Sequence, residues 1–287
     1  MSKQQVAVVT DSTAYLSQEA LNGLHVPVIP LWLIWDEDRY RDGVDIAPET
    51  FYERLQDAKT FPTTSQPSVG EFVDFYRRVA EEMETDTIVG AFISSGISGT
   101  VSAARSAKKQ ISDLNITVID SQTTAMGLGF IALAGARVAA AGGSVDDVVA
   151  AVRKVRENLT VLFVVDTLEY LHRGGRIGGA KRLLGSALNI KPLLDLESGC
   201  VEPLCQVRTK RRAMNRLLNV ADERLNGDLM AEVCIVDIDS PEEGESLVRR
   251  VRERFTPNHI YQSAVSPVIG AHAGPGTVGL GFYTIDN

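Results

Sequence analysis

Cysteine and histidine are scarce in this chain. Its 287 residues include three cysteines and four histidines, scattered along the sequence. The cysteines, Cys200, Cys205 and Cys234, are odd in number, stand in apolar or strand-like contexts and lack the spacing of metal ligands. We therefore expect reduced, buried thiols of the kind found in cytoplasmic proteins, and no metal site.

Positively charged residues are outnumbered by negatively charged ones, and long apolar runs are absent from the sequence. The chain has 37 Asp and Glu against 29 Lys and Arg, a net charge of −8, and a protein of this sign is repelled by a phosphate backbone. We therefore expect no nucleic-acid partner. The most apolar segment, residues 125–136, meets Arg137 well short of the ~18 to 20 apolar residues that a bilayer requires. It is predicted to be a core helix, and since no signal peptide opens the chain we expect a cytoplasmic protein.

Three motifs of catalysis or nucleotide binding are either missing or without the context that they need. The residues around Ser98 lack the G-x-S-x-G spacing of a serine-hydrolase elbow. The glycine-rich segment 173–182 has no lysine after the second glycine of a G-x-x-x-x-G pair. A formal G-x-G-x-x-G at residues 274–279 is followed by only eight residues, too few for a βαβ unit. The remaining hydroxyls, backbone donors and one histidine suit the binding of a carboxylate better than the breaking of a bond.

The hydrophobic pattern indicates two domains, and 287 residues with 44% hydrophobic content are enough to give each a core. Apolar strands near residues 8, 90 and 118 each precede a helix. This alternation predicts an α/β domain with a parallel sheet over residues 1–158, with a β-hairpin excursion near residues 26–45. Over residues 159–287, paired strands alternate with helices, which predicts an α+β domain whose sheet is covered on one side.

The segment 93–100, Ile-Ser-Ser-Gly-Ile-Ser-Gly-Thr, follows one of these strands and opens a helix. The first N–H groups of a helix lack partners, and Gly96 and Gly99 would let a ligand approach the backbone. The other two strand ends are also rich in hydroxyls, and the carboxyl ends of parallel strands share one edge, where ligands bind. One interpretation is therefore an anion site. The alternative is an ordinary loop with Ser98 as the N-cap.

Hydroxyl-bearing residues recur elsewhere in the first half. Two prolines in segment 61–68 hold three of them on an extended backbone: Thr63, Thr64 and Ser65. Ser68 and Glu71 are predicted to form a capping box. Asp11 and Ser12 are interpreted as turn or N-cap residues rather than ligand contacts. The Ala- and Gly-rich helix at 125–141 fits either close packing on a sheet or a long apolar ligand beside it.

In the second half, Asp166 and Glu169 are predicted to form a capping box for a helix at 167–172, and a further helix is predicted to end at Asn189. His272 is predicted to lie in a loop of small residues before a last strand at 278–283. A basic cluster stands out in so acidic a chain, and it fits either solvated helix ends or docking to an acidic or phosphate-bearing partner. Its members are Arg173, Arg176, Lys181, Arg182, Arg208, Lys210, Arg211 and Arg212.

Seven motifs occur together in the order seen in one known family. They are Thr-Asp-Ser at 10–12, Thr-Ser-Gln-Pro-Ser at 64–68, Ser-Ser-Gly-Ile-Ser-Gly-Thr at 94–100, Val-Ile-Asp-Ser at 118–121, Leu-His-Arg-Gly-Gly-Arg-Ile at 171–177, Ile-Lys-Pro at 190–192 and His-Ala-Gly-Pro-Gly at 272–276. In these motifs the sequence resembles the DegV family of bacterial fatty-acid-binding proteins, which includes the lipid-carrier subunits of fatty acid kinase. One departure is Gly96-Ile97, where a polar residue and Leu are more usual.

The resemblance implies a fatty acid held between the two domains, with its tail in an apolar tunnel. By position, Thr64 and Ser98 would bind the carboxylate through their hydroxyls, Ser98 and Gly99 would add backbone N–H groups, and His272 would complete the network. Further candidates for the ligand site are Ser65, Ser95 and Ser121.

The resemblance also implies partners. Arg176 and Arg208 match arginines that the family's carriers need with a kinase subunit, which holds ATP and phosphorylates the carboxylate. The acyl phosphate would pass to an acyltransferase for phospholipid synthesis, with transient membrane contact. On this interpretation the chain is a carrier, without cofactor or metal, and not an enzyme. The alternatives are a stand-alone acyl hydrolase or transferase with Ser98 as nucleophile, and a lipid sensor without a kinase partner.

Overall fold

The computed structural model describes residues 5–185 and 190–284, and its strands and helices are numbered along the chain. The first half contains β1 (Ala7–Asp11), α1 (Gln18–Leu21), β2 (Val28–Ile29), β3 (Trp32–Trp35), β4 (Asp38–Arg41), α2 (Pro48–Gln56), β5 (Thr63–Ser65), α3 (Val69–Glu82), β6 (Thr87–Phe92), α4 (Thr100–Lys108), β7 (Asn115–Asp120), α5 (Ala125–Ala140) and α6 (Val145–Glu157). The second half contains β8 (Leu159–Val164), α7 (Glu169–Arg173), β9 (Lys191–Glu197), β10 (Cys200–Val207), α8 (Lys210–Leu225), β11 (Met230–Ile238), α9 (Pro241–Phe255), β12 (Ile260–Ser263), α10 (Pro267–Ala273) and β13 (Thr277–Thr284).

The first sheet is parallel, with the strand order β2-β1-β6-β7. Strand β1 is buried along its whole length, as expected for a sheet covered on both faces. Helices α3 and α4 pack on one face in a core that includes Phe72 and Val101. Helices α5 and α6 pack on the other face, in a core that includes Ile131 and Val152. The predicted parallel α/β architecture of the first half is confirmed.

The predicted hairpin excursion is only partly right. β3 and β4 form an antiparallel hairpin, and β5 pairs with the other side of β3. Val28 and Ile29, however, form β2, which pairs in parallel with β1 at the edge of the first sheet. The apolar run at 26–35 is therefore divided between two sheets, because its first residues find a partner in a distant part of the chain.

The second sheet is mixed, with the strand order β10-β9-β8-β13-β11-β12, and only β11 and β12 are parallel neighbours. Helices α8 and α9 cover one face in a core that includes Leu217 and Leu247, which confirms the predicted α+β architecture. Val278, Leu280 and Phe282 of β13 point into that core. Because side chains alternate along a strand, the opposite face of β13 carries Thr277, Gly279, Gly281 and Tyr283.

Two local predictions in the second half are wrong. Asp166 and Glu169 form no capping box: α7 begins at Glu169 without a side-chain cap, because Asp166 instead pairs with Lys191 and Lys210. His272 does not lie in a loop. It occupies the last turn of α10, whose first turn is capped by the hydroxyl of Ser266.

The predicted helix ending at Asn189 is not seen as such. Residues Gly178–Leu183 form a 3₁₀ helix, Leu184 and Gly185 form a turn, and the last part of that prediction, residues 186–189, lies outside the described residues. The division of the chain at 158 and 159 falls between the strands of the two sheets, and it stays a prediction.

Helix α5 confirms the helix predicted at 125–141 and shows close packing. A Cβ atom on Gly135 would lie 2.9 Å from Val152 Cγ2 and 3.5 Å from Val8 Cγ1, so its missing side chain lets α6 and β1 approach. Among the described residues, no helix has the length and apolar character needed to cross a membrane.

Candidate functional site

A cavity lies between the two sheets, and residues from both halves of the chain line it. Most of its wall is apolar, contributed by β8, β11 and β13, by the turn after β6, and by the helices α5 and α10. The polar side chains are few: Thr64, Ser65, Gln66, Ser98, Thr124, Arg176, His272 and Thr277. The sequence therefore builds a mainly apolar chamber with a small group of hydrogen-bonding residues.

Thr64 and His272 meet directly in this wall, although they are 208 residues apart. Thr64 Oγ1 lies 2.8 Å from His272 Nε2. Thr64 is fixed because β5 pairs with β3, where Thr64 stands opposite Leu33. Burial, and to a smaller extent the Arg176 guanidinium, lowers the pKa of His272 to about 4 from its ordinary value of 6.5. The imidazole is therefore neutral at pH 7 and its ring nitrogens act as one donor and one acceptor.

The other ring nitrogen of His272, Nδ1, is buried and has no hydrogen-bond partner among the described residues. It faces the backbone of Gly174, where a Cβ atom would overlap it. Gly174 is thus a site residue that sequence analysis missed. The glycine pair at 174–175 was the available signal, because glycine marks close approach to a backbone.

Ser98 reaches the cavity from the turn before α4. Its hydroxyl lies 2.8 Å from Thr100 Oγ1 and accepts a weaker hydrogen bond from Thr100 N at 3.3 Å. Its backbone N–H, however, donates to Ser94 O at 3.0 Å and is used inside the turn. The N-cap of α4 is Gly99 rather than Ser98. Gly99 does not line the cavity, and its N–H makes no hydrogen bond with a described residue.

The glycine at position 96 has a different role from the one expected. A Cβ atom there would lie 2.7 Å from Gly199 O, in the tight turn between β9 and β10. Ser94 Oγ also donates to Gly199 O at 2.8 Å. The missing side chain of Gly96 therefore lets the β9–β10 hairpin, and not a ligand, approach the backbone. This contact joins the turn after β6 to the second half of the chain.

Of the three further candidates, the structure brings only Ser65 to the cavity. Ser95 is exposed, and its hydroxyl donates to Asp120. Ser121 is buried, donates to Thr123 O at 3.1 Å and accepts from Thr123 N at 3.2 Å. Neither Ser95 nor Ser121 lines the cavity, because each is used within its own neighbourhood.

Arg176 lies in the cavity wall, and Arg208 does not. The Arg176 guanidinium donates from Nε to Ile97 O at 3.0 Å and from Nη1 to Gly174 O at 2.6 Å. It therefore ties the residue before Ser98 to the glycine beside His272. Arg208 is exposed and makes no hydrogen bond or ion pair with a described residue.

Two buried carboxylates support this region from behind. Asp11 accepts from Thr13 N at 3.0 Å and from Ile93 N at 2.7 Å, which confirms its interpretation as a turn residue. Asp42 accepts from Ser12 Oγ at 2.7 Å and from Val268 N at 3.3 Å, so it holds the start of α10. Burial raises the pKa of each carboxyl to about 6. Asp42 was missed by sequence analysis because its partners are 30 and 226 residues away.

The described residues contain no group of three or more His, Cys, Asp or Glu side chains placed to hold a metal ion. The family described as "Uncharacterised protein, DegV family" matches residues 5–284. The chain belongs to the DegV family.

Relatives in sequence and in structure cover nearly the whole chain. A DegV domain-containing protein of Streptomyces coelicolor is 40% identical over 278 residues, which are 96% of this chain and 98% of the relative. A solved structure described as showing fatty acid binding by a DegV family protein of Thermus thermophilus superimposes with a TM-score of 0.91 at 33% identity, over 98% of this chain and 100% of that one. A stearic-acid-binding protein of Eubacterium ventriosum gives a TM-score of 0.88 at 29% identity, over 98% of each chain.

The basic cluster of this DegV protein is divided between paired and unpaired side chains. Arg173 pairs with Glu169 at 2.6 Å and stacks on Phe61. Arg182 and Lys210 also have acidic partners. The exposed members that form no hydrogen bond or ion pair with a described residue through their side chains are Lys181, Arg208, Arg211 and Arg212. Three of these four lie around the start of α8.

Proposed function

We propose that this chain binds a long-chain fatty acid in the cavity between its sheets. The observation that carries the proposal is the Thr64–His272 pair in the wall of an otherwise mainly apolar chamber. Such a chamber removes methylene groups from water, and each buried CH₂ contributes about 0.8 kcal/mol. The fatty-acid-binding neighbours from T. thermophilus and E. ventriosum support the same ligand class.

The carboxylate is proposed to lie among Thr64, Ser98 and His272, with Gly99 N–H and Ser65 as further donors. With a proton on Nε2, neutral His272 donates to Thr64 Oγ1, and the Thr64 hydroxyl hydrogen is then free to point at the ligand. The unpartnered Nδ1 is an acceptor in this tautomer. Several charge-assisted hydrogen bonds of this kind offset the desolvation of a buried carboxylate. The positive charge of Arg176 in the same wall favours an anion.

The alternative of a serine nucleophile gains no support from the geometry. Nucleophilic catalysis requires a base within hydrogen-bond reach of the hydroxyl. Ser98 Oγ contacts Thr100 Oγ1, whereas the imidazole of His272 contacts Thr64. We therefore propose that the chain is a carrier and that the Ser98 hydroxyl binds the carboxylate.

We further propose that the bound carboxylate is presented to a separate ATP-holding kinase subunit, which forms an acyl phosphate for a downstream acyltransferase. Loading and release would involve transient contact with a membrane. The exposed, unpaired cations around the start of α8 support docking of a phosphate-bearing or acidic partner. Arg208 is the clearer probe of that surface, since Arg176 also holds Ile97 and Gly174 in place.

Arg208→Ala tests the partner proposal. We expect unchanged fatty-acid affinity, because Arg208 lies outside the cavity, and slower acyl phosphate formation when ATP and a fatty acid kinase subunit are added. An unchanged phosphorylation rate would remove Arg208 from the proposed docking surface.

The fatty-acid proposal is tested by extraction of the purified protein with organic solvent and mass spectrometry of the extract. We expect long-chain fatty acid in about a one-to-one ratio with the protein. If the protein is purified without lipid, we expect the same ratio after incubation with added oleate or stearate. Absence of lipid in both cases would overturn the proposal.

A further inference from the structure

The wall of the cavity contains two glycines at successive inward positions of β13, Gly279 and Gly281. β13 is the central strand of three, paired on both sides with β8 and β11. Glycine weakens a strand interior because it has no side chain to pack, and it often marks a place where a ligand approaches closely. Neither glycine has a positive φ angle, so the backbone conformation does not require glycine.

The two positions differ in the space that they leave. A Cβ atom on Gly279 would lie 2.9 Å from Val236 Cγ2, so packing against β11 already accounts for that glycine. A Cβ atom on Gly281 would meet only Val161 Cγ2 within 4 Å, at 3.9 Å, which is ordinary contact. The fold therefore has room for a side chain at position 281, and the position opens into the cavity.

Gly281 lies far from the polar group along the strand. Thr277, at the start of β13, donates to Ala273 O and Gly274 O just after His272. Four residues of β-strand separate Thr277 from Gly281, about 13 Å at roughly 3.3 Å per residue. In register with Gly281 stand Val161 of β8 and Cys234 of β11, which also line the cavity.

The next inward residue of β13, Tyr283, closes the strand face. It is buried and does not line the cavity. Its ring packs edge-on against Phe130 at 5.4 Å between centroids, and its hydroxyl donates to Glu232 at 2.8 Å. Glu232 is itself held by two hydrogen bonds from Arg137. A fixed wall thus stands immediately beyond Gly281.

We propose that Gly281 sets the longest acyl chain that the cavity accepts: the last methylenes of a long straight chain occupy the space over Gly281 and stop at Tyr283. This inference rests on the proposed fatty-acid function. It assigns position 281 the role of a specificity determinant, so that a side chain there selects for shorter fatty acids.

The test compares octanoic and stearic acid binding to delipidated full-length protein, as wild type and as Gly281→Val. A valine that displaces two methylenes lowers stearic acid affinity roughly fifteenfold, at about fourfold per CH₂, and leaves octanoic acid affinity unchanged. Val161→Ala combined with Gly281→Val returns volume at the same place and is expected to restore part of the stearic acid affinity.

Gly281→Ala is a second, smaller substitution that tests the same inference if Gly281→Val does not fold. It is expected to weaken stearic acid binding about fourfold while leaving the urea unfolding midpoint of the lipid-free protein unchanged or raised. Equal losses for octanoic and stearic acid in the Gly281 variants would overturn this inference and leave the fatty-acid function standing. Wild-type protein that binds neither acid would instead overturn the proposed function itself.

Discussion

Ser98 and Ser121 lie in the turns after β6 and β7, which both follow a buried strand of the parallel sheet and both carry several hydroxyl groups, yet the two serines are placed differently. In the turn after β7, Ser121 both donates to and accepts from Thr123 and is buried away from the cavity, whereas Thr124 of the same turn lines it. In the turn after β6, Ser98 contacts a neighbouring hydroxyl and stands in the cavity wall. Hydroxyl content alone therefore does not identify the ligand-facing residues of a turn. The position of each hydroxyl relative to the cavity wall does.

At the end of β1, the polar side chain forms all its hydrogen bonds within the protein. Asp11 accepts hydrogen bonds from Thr13 and Ile93, so its carboxylate joins the ends of β1 and β6. It supports the neighbouring turn that carries Ser98 without entering the cavity wall.

Asp11→Ala is expected to have the largest effect and would sharpen this contrast. Two buried N–H groups lose their acceptor, and each stranded group costs about 1 to 3 kcal/mol. The substitution also removes the cost of burying the Asp11 carboxyl, whose pKa burial raises, and this offsets part of the lost stability. We expect urea denaturation at pH 7 to show a free energy of unfolding lower by about 3 kcal/mol. A change below ~0.5 kcal/mol, within the range of ordinary surface substitutions, would contradict the structural role.

His272 offers a test through pH. Its pKa is lowered to about 4 in the folded protein, so between pH 6.5 and 4 the unfolded chain binds the proton that the folded protein excludes. Stability from this residue is present above pH 6.5 and is lost as the pH falls toward 4, by roughly 2 to 3 kcal/mol.

The pH measurement compares urea unfolding of wild type and His272→Gln from pH 7 to pH 4. Asp11 and Asp42 have raised pKa values and so change stability in the opposite direction over an overlapping range. Both proteins contain them, and the difference between the two curves isolates His272. Parallel curves would show that His272 is not buried in its neutral form.

Ser98→Ala and Ser95→Ala compare two hydroxyls within one turn. Loss of a hydrogen bond to a charged ligand amounts to about 1.5 kcal/mol or more, so Ser98→Ala is expected to weaken fatty-acid binding at least about tenfold. Ser95 is exposed and bonds to Asp120, and its variant should bind with wild-type affinity. Equal affinities of the two variants would contradict the proposed distinction between internal and ligand-facing hydroxyls.

Local patterns were sufficient to predict the alternating strands and helices of the first half and the capping box at Ser68 and Glu71, which the structure confirms. Each depends on residues close together in sequence. The Asp166–Glu169 capping box failed because Lys191 and Lys210, supplied by the tertiary fold, pair with Asp166. Local hydrogen-bonding rules do not include such distant competitors.

The site was harder to predict than the fold. Thr64 and His272 were named through a family resemblance, whereas their contact joins residues 208 positions apart. The small residues around His272 predict a loop, although Ser266 and Pro267 form a recognisable start of the helix that carries it. Gly96 was assigned to a ligand because the contact with Gly199 is invisible in the sequence.

The most direct test of the proposed carboxylate site is a ¹³C NMR titration of a bound fatty acid labelled at its carboxyl carbon. We expect the bound carboxyl group to stay ionised to lower pH than the free acid, since several donors stabilise the charged form, and we expect Ser98→Ala to move this titration back toward that of the free acid. A bound carboxyl group that titrates like the free acid and does not respond to Ser98→Ala would contradict the proposed site.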